Sequence, residues 1–179
     1  VLRDSESKVV IVNEYFLSKL QAVHDKLPGI EKILVFKNTN PAFVLDKDVS
    51  TLDNRGLQTL EQAITSQPEM YSDWQVSWND PAILVYTSGS AGKMKGVVLT
   101  HGNILAQIKL LSDMIPFTTK DSYLCIQPLF YLDYAFYFWL VIERGGLSLV
   151  AETFSKQAFW SIVEKYKPTF LNVTPSILN

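Results

Sequence analysis

The residue types with the clearest chemical potential are concentrated in one short segment, YTSGSAGKMKGV, which spans residues 86–97. It contains three glycines, three serine or threonine hydroxyls and two lysines, and an apolar run lies on each side of it. Glycine lets the backbone approach another group closely, and successive glycine and serine amides can form a concave nest that binds an anion. Lys93 and Lys95 add positive charge. Together, these features favour the binding of a polyphosphate.

Two common phosphate-binding patterns do not fit this segment. A Walker A loop requires G-x-x-x-x-G-K-S/T, whereas Gly89 and Gly92 are too close together and Met94 follows Lys93. The dinucleotide pattern G-x-G-x-x-G also fails, because no glycine stands two residues after Gly89. The spacing therefore disfavours a P-loop NTPase and a Rossmann dehydrogenase. A surface turn with two solvated lysines is the alternative that involves no ligand.

The composition restricts the class of protein. The chain has 179 residues and a net charge of -2, which gives no electrostatic reason to expect nucleic acid or an anionic membrane as a partner. No apolar segment reaches the roughly 18–20 residues that a membrane span needs, and the polar start carries no secretory signal. The single cysteine, Cys125, favours a reducing compartment and hence a cytoplasmic location. Because the chain starts at Val1 and its apolar pattern runs to the end, we expect a piece of a longer protein.

Short apolar runs alternate with segments of helical periodicity along the chain, and each type predicts its own element. The predicted strands are Val9–Val12, Ile33–Phe36, Ala82–Tyr86, Val97–Thr100, Tyr123–Ile126, Leu147–Val150 and Thr169–Val173. The predicted helices are Glu14–Lys26, Leu57–Ile64, Asn103–Met114, Tyr131–Ile142 and Ser155–Tyr166, with another beginning at Pro175 and a polar loop over Lys37–Arg55. This alternation predicts an α/β fold in which a mostly parallel sheet is flanked by helices.

The histidines do not point to a metal site. His24 lies on a charged helix face and is interpreted as solvated, whereas His101 lies at a predicted helix start and is interpreted as a capping or structural residue. Two isolated histidines, one cysteine and no cluster of carboxylates argue against bound zinc.

The glycine-rich segment and its continuation, YTSGSAGKMKGVVLTHGN, resemble the signature of the adenylate-forming (AMP-binding) enzymes. That signature is written Y/F-T-S-G-S/T-T-G-x-P-K-G-V. The matching positions are Tyr86, Thr87, Ser88, Gly89, Ser90, Gly92, Lys95, Gly96 and Val97, followed by Thr100, His101, Gly102 and Asn103. Ala91 stands where the family has threonine, and Met94 stands where it has proline.

Weaker similarities extend along the chain. The segment QPLFY, residues 127–131, resembles the family's PLFH segment, and Gly145-Gly146 resembles the turn before the next strand. The region upstream of the loop most resembles the long-chain fatty acyl-CoA synthetases. The resemblance therefore implies that residues 1–179 are a single fragment of the N-terminal domain of such an enzyme, without the remainder of that domain or the C-terminal lid.

The resemblance implies a two-step reaction in the full-length protein, which would be an acid–thiol ligase. A carboxylic acid, expected to be a fatty acid, attacks ATP to give an acyl-adenylate, and a thiol, commonly coenzyme A, then displaces AMP. The implied catalytic residue is Lys95. The implied contacts to the ATP phosphates are Thr87, Ser88, Gly89, Ser90, Ala91, Gly92 and Lys95. Mg²⁺ is expected as a cofactor, with its ligand outside this chain. The resemblance also implies that the adenine and ribose contacts and a lysine that assists adenylation lie outside this chain, so the fragment is expected to be inactive alone.

The apolar segment FYLDYAFYFWL, residues 130–140, has two interpretations. It is either a core helix or, by resemblance, part of the lining of an acyl tunnel, with Tyr131 and Asp133 at the substrate pocket. The alternative to an enzyme is a non-catalytic nucleotide- or acyl-binding module with a degenerate loop, suggested by Ala91, Met94 and Tyr131.

Overall fold

The computed structural model describes residues 1–37, 57–68, 74–88, 94–151, 154–174 and 177. The chain divides into two compact units. The first unit comprises Val1–Gln75 and Tyr86–Gly96, and the second comprises Val76–Val85 and Val97–Asn179. The predicted polar loop, apart from its first residue, and the helix predicted from Pro175, apart from Ile177, lie outside the described residues.

The first unit contains a parallel three-stranded sheet with the order β1-β2-β3. Its elements are β1 (Val9–Asn13), α1 (Glu14–His24), β2 (Lys32–Phe36), β3 (Leu57–Thr59) and α2 (Leu60–Thr65). Leu17 and Leu20 of α1 are buried against Ile33 and Val35 of β2. The predicted βαβ arrangement is therefore confirmed, with α1 connecting two parallel strands.

The predicted helix Leu57–Ile64 is wrong in its first turn. Leu57–Thr59 form β3, which pairs with β2 in register. The helix begins only at Leu60, because Thr59 and Gln62 form a capping box in which each side chain accepts a hydrogen bond from the other residue's backbone amide. A short segment of mixed apolar and polar residues fits either element, and pairing with β2 decides it.

A separate two-stranded sheet carries the glycine-rich segment. It consists of β4 (Pro81–Ser88) and β5 (Met94–Thr100). The connection, residues 89–93, is far shorter than the dozen residues that a parallel crossover needs, so the pair is a hairpin. It departs from the otherwise parallel pattern. Both strands are longer than predicted, and Val97 and Val98 are exposed rather than buried.

The second unit contains a parallel sheet with the order β7-β6-β8. Its elements are α3 (His101–Met114), β6 (Ser122–Cys125), α4 (Leu132–Glu143), β7 (Leu147–Val150), α5 (Lys156–Tyr166) and β8 (Phe170–Leu171). The central strand β6 is buried along its whole length. The predicted strands and helices are confirmed here, although the last strand is shorter than predicted.

The core of the second unit lies between β6 and α4. Tyr123 of β6 is fully buried and contacts the rings of Tyr137 and Phe170. Its hydroxyl has no geometrically good hydrogen-bond partner among the described residues, and the neighbouring Cys125 thiol donates to the Gln127 carbonyl at 3.2 Å. Burial, with the Cys125 thiol beside it, raises the pKa of Tyr123. The core interpretation of the apolar segment is therefore confirmed for α4.

Asp121 gives the second unit an acid-sensitive contact at the start of β6. Hydrogen bonds from the hydroxyl and the amide of Thr118 lower the pKa of Asp121 below its ordinary value of 3.8. A carboxylate with a lowered pKa contributes stability above its unfolded pKa, and that contribution is lost as pH falls through its folded pKa. We expect Asp121→Asn to reduce the loss of stability on acidification, measured by urea unfolding of the intact protein at a series of pH values.

A second variant separates the effect of the Thr118 hydroxyl on Asp121 from that of the Thr118 amide. Thr118→Val removes the hydroxyl donor but leaves the amide donor, so it should remove only part of the acid-dependent stability. Identical pH profiles for wild type and Asp121→Asn would show that this carboxylate does not contribute.

Candidate functional site

The exposed polar end of the hairpin carries the predicted phosphate-binding residues that the structure describes. Thr87 and Ser88 are exposed at the end of β4, and Lys95 is exposed near the start of β5. The predicted residues Gly89, Ser90, Ala91 and Gly92 lie outside the described residues. Two hydroxyls and an ammonium group thus flank the connection, and Lys95 forms no ion pair with any described residue. These groups can donate hydrogen bonds to phosphate oxygens.

Tyr86 fixes the strand just before these hydroxyls. Its phenol donates a hydrogen bond to Asp4 Oδ2 at 2.6 Å and lies 3.4 Å from the Val1 carbonyl oxygen. The hydrogen bond to the Asp4 carboxylate, aided by partial desolvation and the negative charge of Asp4, raises the pKa of Tyr86 to about 12. The sequence analysis missed Asp4, because no local pattern connects residues 82 positions apart.

The opposite end of β5 leads into α3, where the family signature continues. Thr100 caps the helix in a box with Asn103. The His101 amide donates to the Asp80 carbonyl at 3.1 Å, and the Gly102 amide donates to the Trp78 carbonyl at 2.8 Å. The first amides of α3 are thus used within the protein, which supports the structural interpretation of His101.

Gly102 lies directly against the indole of Trp78. A Cβ atom at Gly102 would overlap Nε1 and Cδ1 of the indole. Alanine normally favours a helix over glycine by up to about 1 kcal/mol, but here the overlap should dominate. We expect Gly102→Ala to reduce the free energy of unfolding of the intact protein by about 1–3 kcal/mol in urea denaturation.

The Trp78→Ala background provides the control for this clash. Once the indole is absent, Gly102→Ala should be neutral or stabilising, as glycine-to-alanine changes in helices usually are. A stabilising effect of Gly102→Ala in the wild-type background would contradict the predicted overlap.

Tyr131 and Asp133 lie in the second unit, beyond the carboxyl end of β6. Tyr131 is the N-cap residue of α4 and is 53% exposed, and its ring centroid lies 4.5 Å from that of Phe130. Asp133 is exposed in the first turn of α4. Ligands of parallel α/β sheets bind beyond the carboxyl ends of the strands, so both residues stand where a substrate contact is expected. Neither belongs to the residues that line an apolar cavity of about 460 Å³ beside α5 and β8.

The described residues include no cluster of three or more histidine, cysteine, aspartate or glutamate side chains that could hold a metal ion. Mg²⁺ therefore has no ligand set of that kind in the described ranges. No described helix combines the length and the apolar character that a membrane crossing requires.

Comparison with known families accounts for both the fold and the signature. A family model described as AMP-binding enzyme matches residues 1–179. The chain belongs to the AMP-binding enzyme family. Among curated relatives, the AMP-binding chain is 27% identical over 146 residues to probable CoA ligase CCL5 of Humulus lupulus, covering 77% of this chain and 26% of that protein. It is 23% identical to the chloroplastic long-chain-fatty-acid–(acyl-carrier-protein) ligase AEE15 of Arabidopsis thaliana, covering 99% of this chain and 25% of that protein.

Solved structures of the family share the fold. A long-chain-fatty-acid-CoA ligase (FadD1) from Archaeoglobus fulgidus superposes with a TM-score of 0.81 at 26% identity, covering 99% of this AMP-binding chain and 32% of that chain. The N-terminal domain of FACL13 from Mycobacterium tuberculosis gives a TM-score of 0.80 at 21% identity, and the match covers 99% of this chain and 40% of that chain. The chain spans about a quarter of the length of the curated relatives that it matches.

Proposed function

We propose that the intact protein is an ATP-dependent ligase that joins a carboxylic acid, most simply a fatty acid, to the thiol of coenzyme A. The observation that carries this proposal is the placement of Thr87, Ser88 and Lys95, exposed at one end of the hairpin. Their sequence context is the AMP-binding signature, and the family match covers residues 1–179. The printed names of CCL5 and of FadD1, a CoA ligase and a fatty-acid–CoA ligase, support this substrate class.

The proposed first step forms an acyl-adenylate. A carboxylate oxygen attacks the α-phosphorus of ATP, the bond to the β-phosphate oxygen breaks, and pyrophosphate leaves. The hydroxyls of Thr87 and Ser88 donate to phosphate oxygens, together with the amides of Gly89, Ser90, Ala91 and Gly92. Lys95 offsets the charge that develops on the leaving pyrophosphate, which is electrostatic stabilisation by a positioned group.

The proposed second step transfers the acyl group. The thiol sulfur of coenzyme A attacks the acyl carbon of the adenylate, the bond to the AMP oxygen breaks, and the thiol proton is released. Tyr131 and Asp133 are proposed to lie at the substrate pocket, where an exposed phenol and a carboxylate can orient a polar group. Mg²⁺ would be held by an oxygen ligand outside this chain and would offset phosphate charge, because it prefers oxygen ligands such as carboxylates and phosphates.

A pyrophosphate-exchange assay on the intact protein tests this proposal. Labelled pyrophosphate should enter ATP only when a suitable acid is present, and a panel from acetate to long-chain acids should identify the preferred chain length. Residues 1–179 alone are expected to give no exchange. ATP binding by the intact protein without exchange for any acid would instead favour a non-catalytic nucleotide-binding module, in keeping with Ala91 and Met94 in place of the family's threonine and proline.

We also propose that the protein works in the cytoplasm on small-molecule partners, with no role for nucleic acid. The net charge of -2 and the single cysteine are the features that support this location and these partners. Fractionation of cells that express the intact protein tests the compartment.

A further inference from the structure

The bond between Tyr86 and Asp4 connects the candidate phosphate site to the N-terminal turn of the first unit. The oxygen–oxygen distance of 2.6 Å is in the range of a charge-assisted O–H···O⁻ hydrogen bond, which is stronger than a neutral one. The family signature accepts either tyrosine or phenylalanine at this position. The phenol and its partner are therefore features of this chain beyond the signature.

Asp4 belongs to a turn that is itself anchored to the unit. The Ser5 amide donates to the Val1 carbonyl at 2.9 Å. Just before Asp4, Arg3 Nη2 donates to the Lys26 carbonyl at 2.9 Å, and Leu2 packs against the core formed by α1 and β2. The backbone of the turn that carries Asp4 is thus held against the first unit.

The position of Tyr86 makes this anchor relevant to the site. Thr87 and Ser88 follow it directly in β4, and a strand rises about 3.3 Å per residue. Their hydroxyls therefore lie within two residues of the anchored backbone. β5 pairs with β4 within the hairpin, and the hydrogen bond from Tyr86 to Asp4 ties this strand end to a part of the chain outside the hairpin.

We propose that Asp4 is a positioning residue that acts through the Tyr86 hydroxyl to orient Thr87 and Ser88 toward the phosphates of ATP. This inference rests on the proposed function. Asp4 does not touch the nucleotide. Its effect is on the alignment of the two hydroxyls, and the raised pKa of Tyr86 agrees with a phenol that stays protonated and donating at neutral pH.

A double-mutant cycle in the intact protein tests this role. Asp4→Ala and Tyr86→Phe should each raise the KM for ATP in acid-dependent exchange by about 3- to 30-fold, with a smaller effect on the KM for the acid. The double variant should be no worse than either single variant, because the same bond is lost in all three. Asp4→Asn keeps an acceptor oxygen and should recover part of the lost affinity.

Tyr166→Phe is the matched control, because it removes a phenol hydroxyl at the exposed end of α5 and should leave the KM for ATP unchanged. A lowered melting temperature with unchanged kinetics would overturn the positioning role, as would additive effects of the two single changes. If wild type gives no exchange with any acid, the proposed function fails. In that case the dissociation constant for ATP is measured by calorimetry on the same variants. Equal weakening of ATP binding in the two single variants and the double variant would support the positioning role, and unchanged or additive values would overturn it.

Discussion

Replacing Lys95 by alanine is expected to slow acid-dependent pyrophosphate exchange in the intact protein by about 10- to 1000-fold, the scale of losing one charge-stabilising group. Lys95 is exposed near the start of β5, at the same end of the hairpin as Thr87 and Ser88. An ammonium group at this position would neutralise charge that grows on the departing pyrophosphate. Its loss should therefore lower kcat more than it raises the KM for ATP, since the interaction strengthens in the transition state.

Two further variants separate the charge of Lys95 from a general effect on folding. Lys95→Arg keeps the positive charge and should retain more activity than Lys95→Ala, although the guanidinium differs in shape and reach. Lys32→Ala removes an exposed lysine at the start of β2, in the same unit, and should leave the exchange rate unchanged. If Lys95→Ala exchanged pyrophosphate at the wild-type rate, Lys95 would not have the proposed catalytic role.

Truncation of Leu140 to alanine is expected to reduce the free energy of unfolding by about 2–5 kcal/mol. Leu140 is 1% exposed on α4, in the second unit. Removing three carbons from such a site loses their transfer free energy and leaves a cavity that the surrounding side chains fill only in part. Urea denaturation of the intact protein, followed by circular dichroism, measures the change.

Ile142→Ala is the control on the same helix. Ile142 is 58% exposed, so its truncation should change the free energy of unfolding by no more than about 0.5 kcal/mol. Equal losses for the two variants would contradict the assignment of the buried face of α4.

The fold could be predicted where apolar runs and helical periodicity agree. β2 contains the apolar run Ile33–Phe36, β7 is apolar at three of its four positions, and α5 has its apolar residues in phase, so local pattern alone identifies them. The sequence pattern predicts a helix at Leu57–Thr59, whereas the structure has a strand there, because pairing with β2 is a non-local property. The apolar sequence of the hairpin strands predicts burial, yet Val97 and Val98 are exposed. Sequence reports how apolar a segment is, whereas burial depends on what packs against it.

Some residues of the candidate site could likewise be predicted from the sequence, and others could not. Thr87, Ser88 and Lys95 could be selected from the sequence because their types and spacing are local, and their roles stay predictions. Asp4 could not, since its contact with Tyr86 crosses 82 positions. The fit of Trp78 against Gly102 was also invisible, because no periodicity connects a turn to the first residues of the next helix.

A crystal structure of the intact protein with a non-hydrolysable ATP analogue tests the central claim most directly. The account predicts the β- and γ-phosphates within hydrogen-bonding distance of the Thr87 and Ser88 hydroxyls, with the Lys95 ammonium beside them. A triphosphate bound elsewhere in the protein, with these three side chains facing solvent, would contradict it.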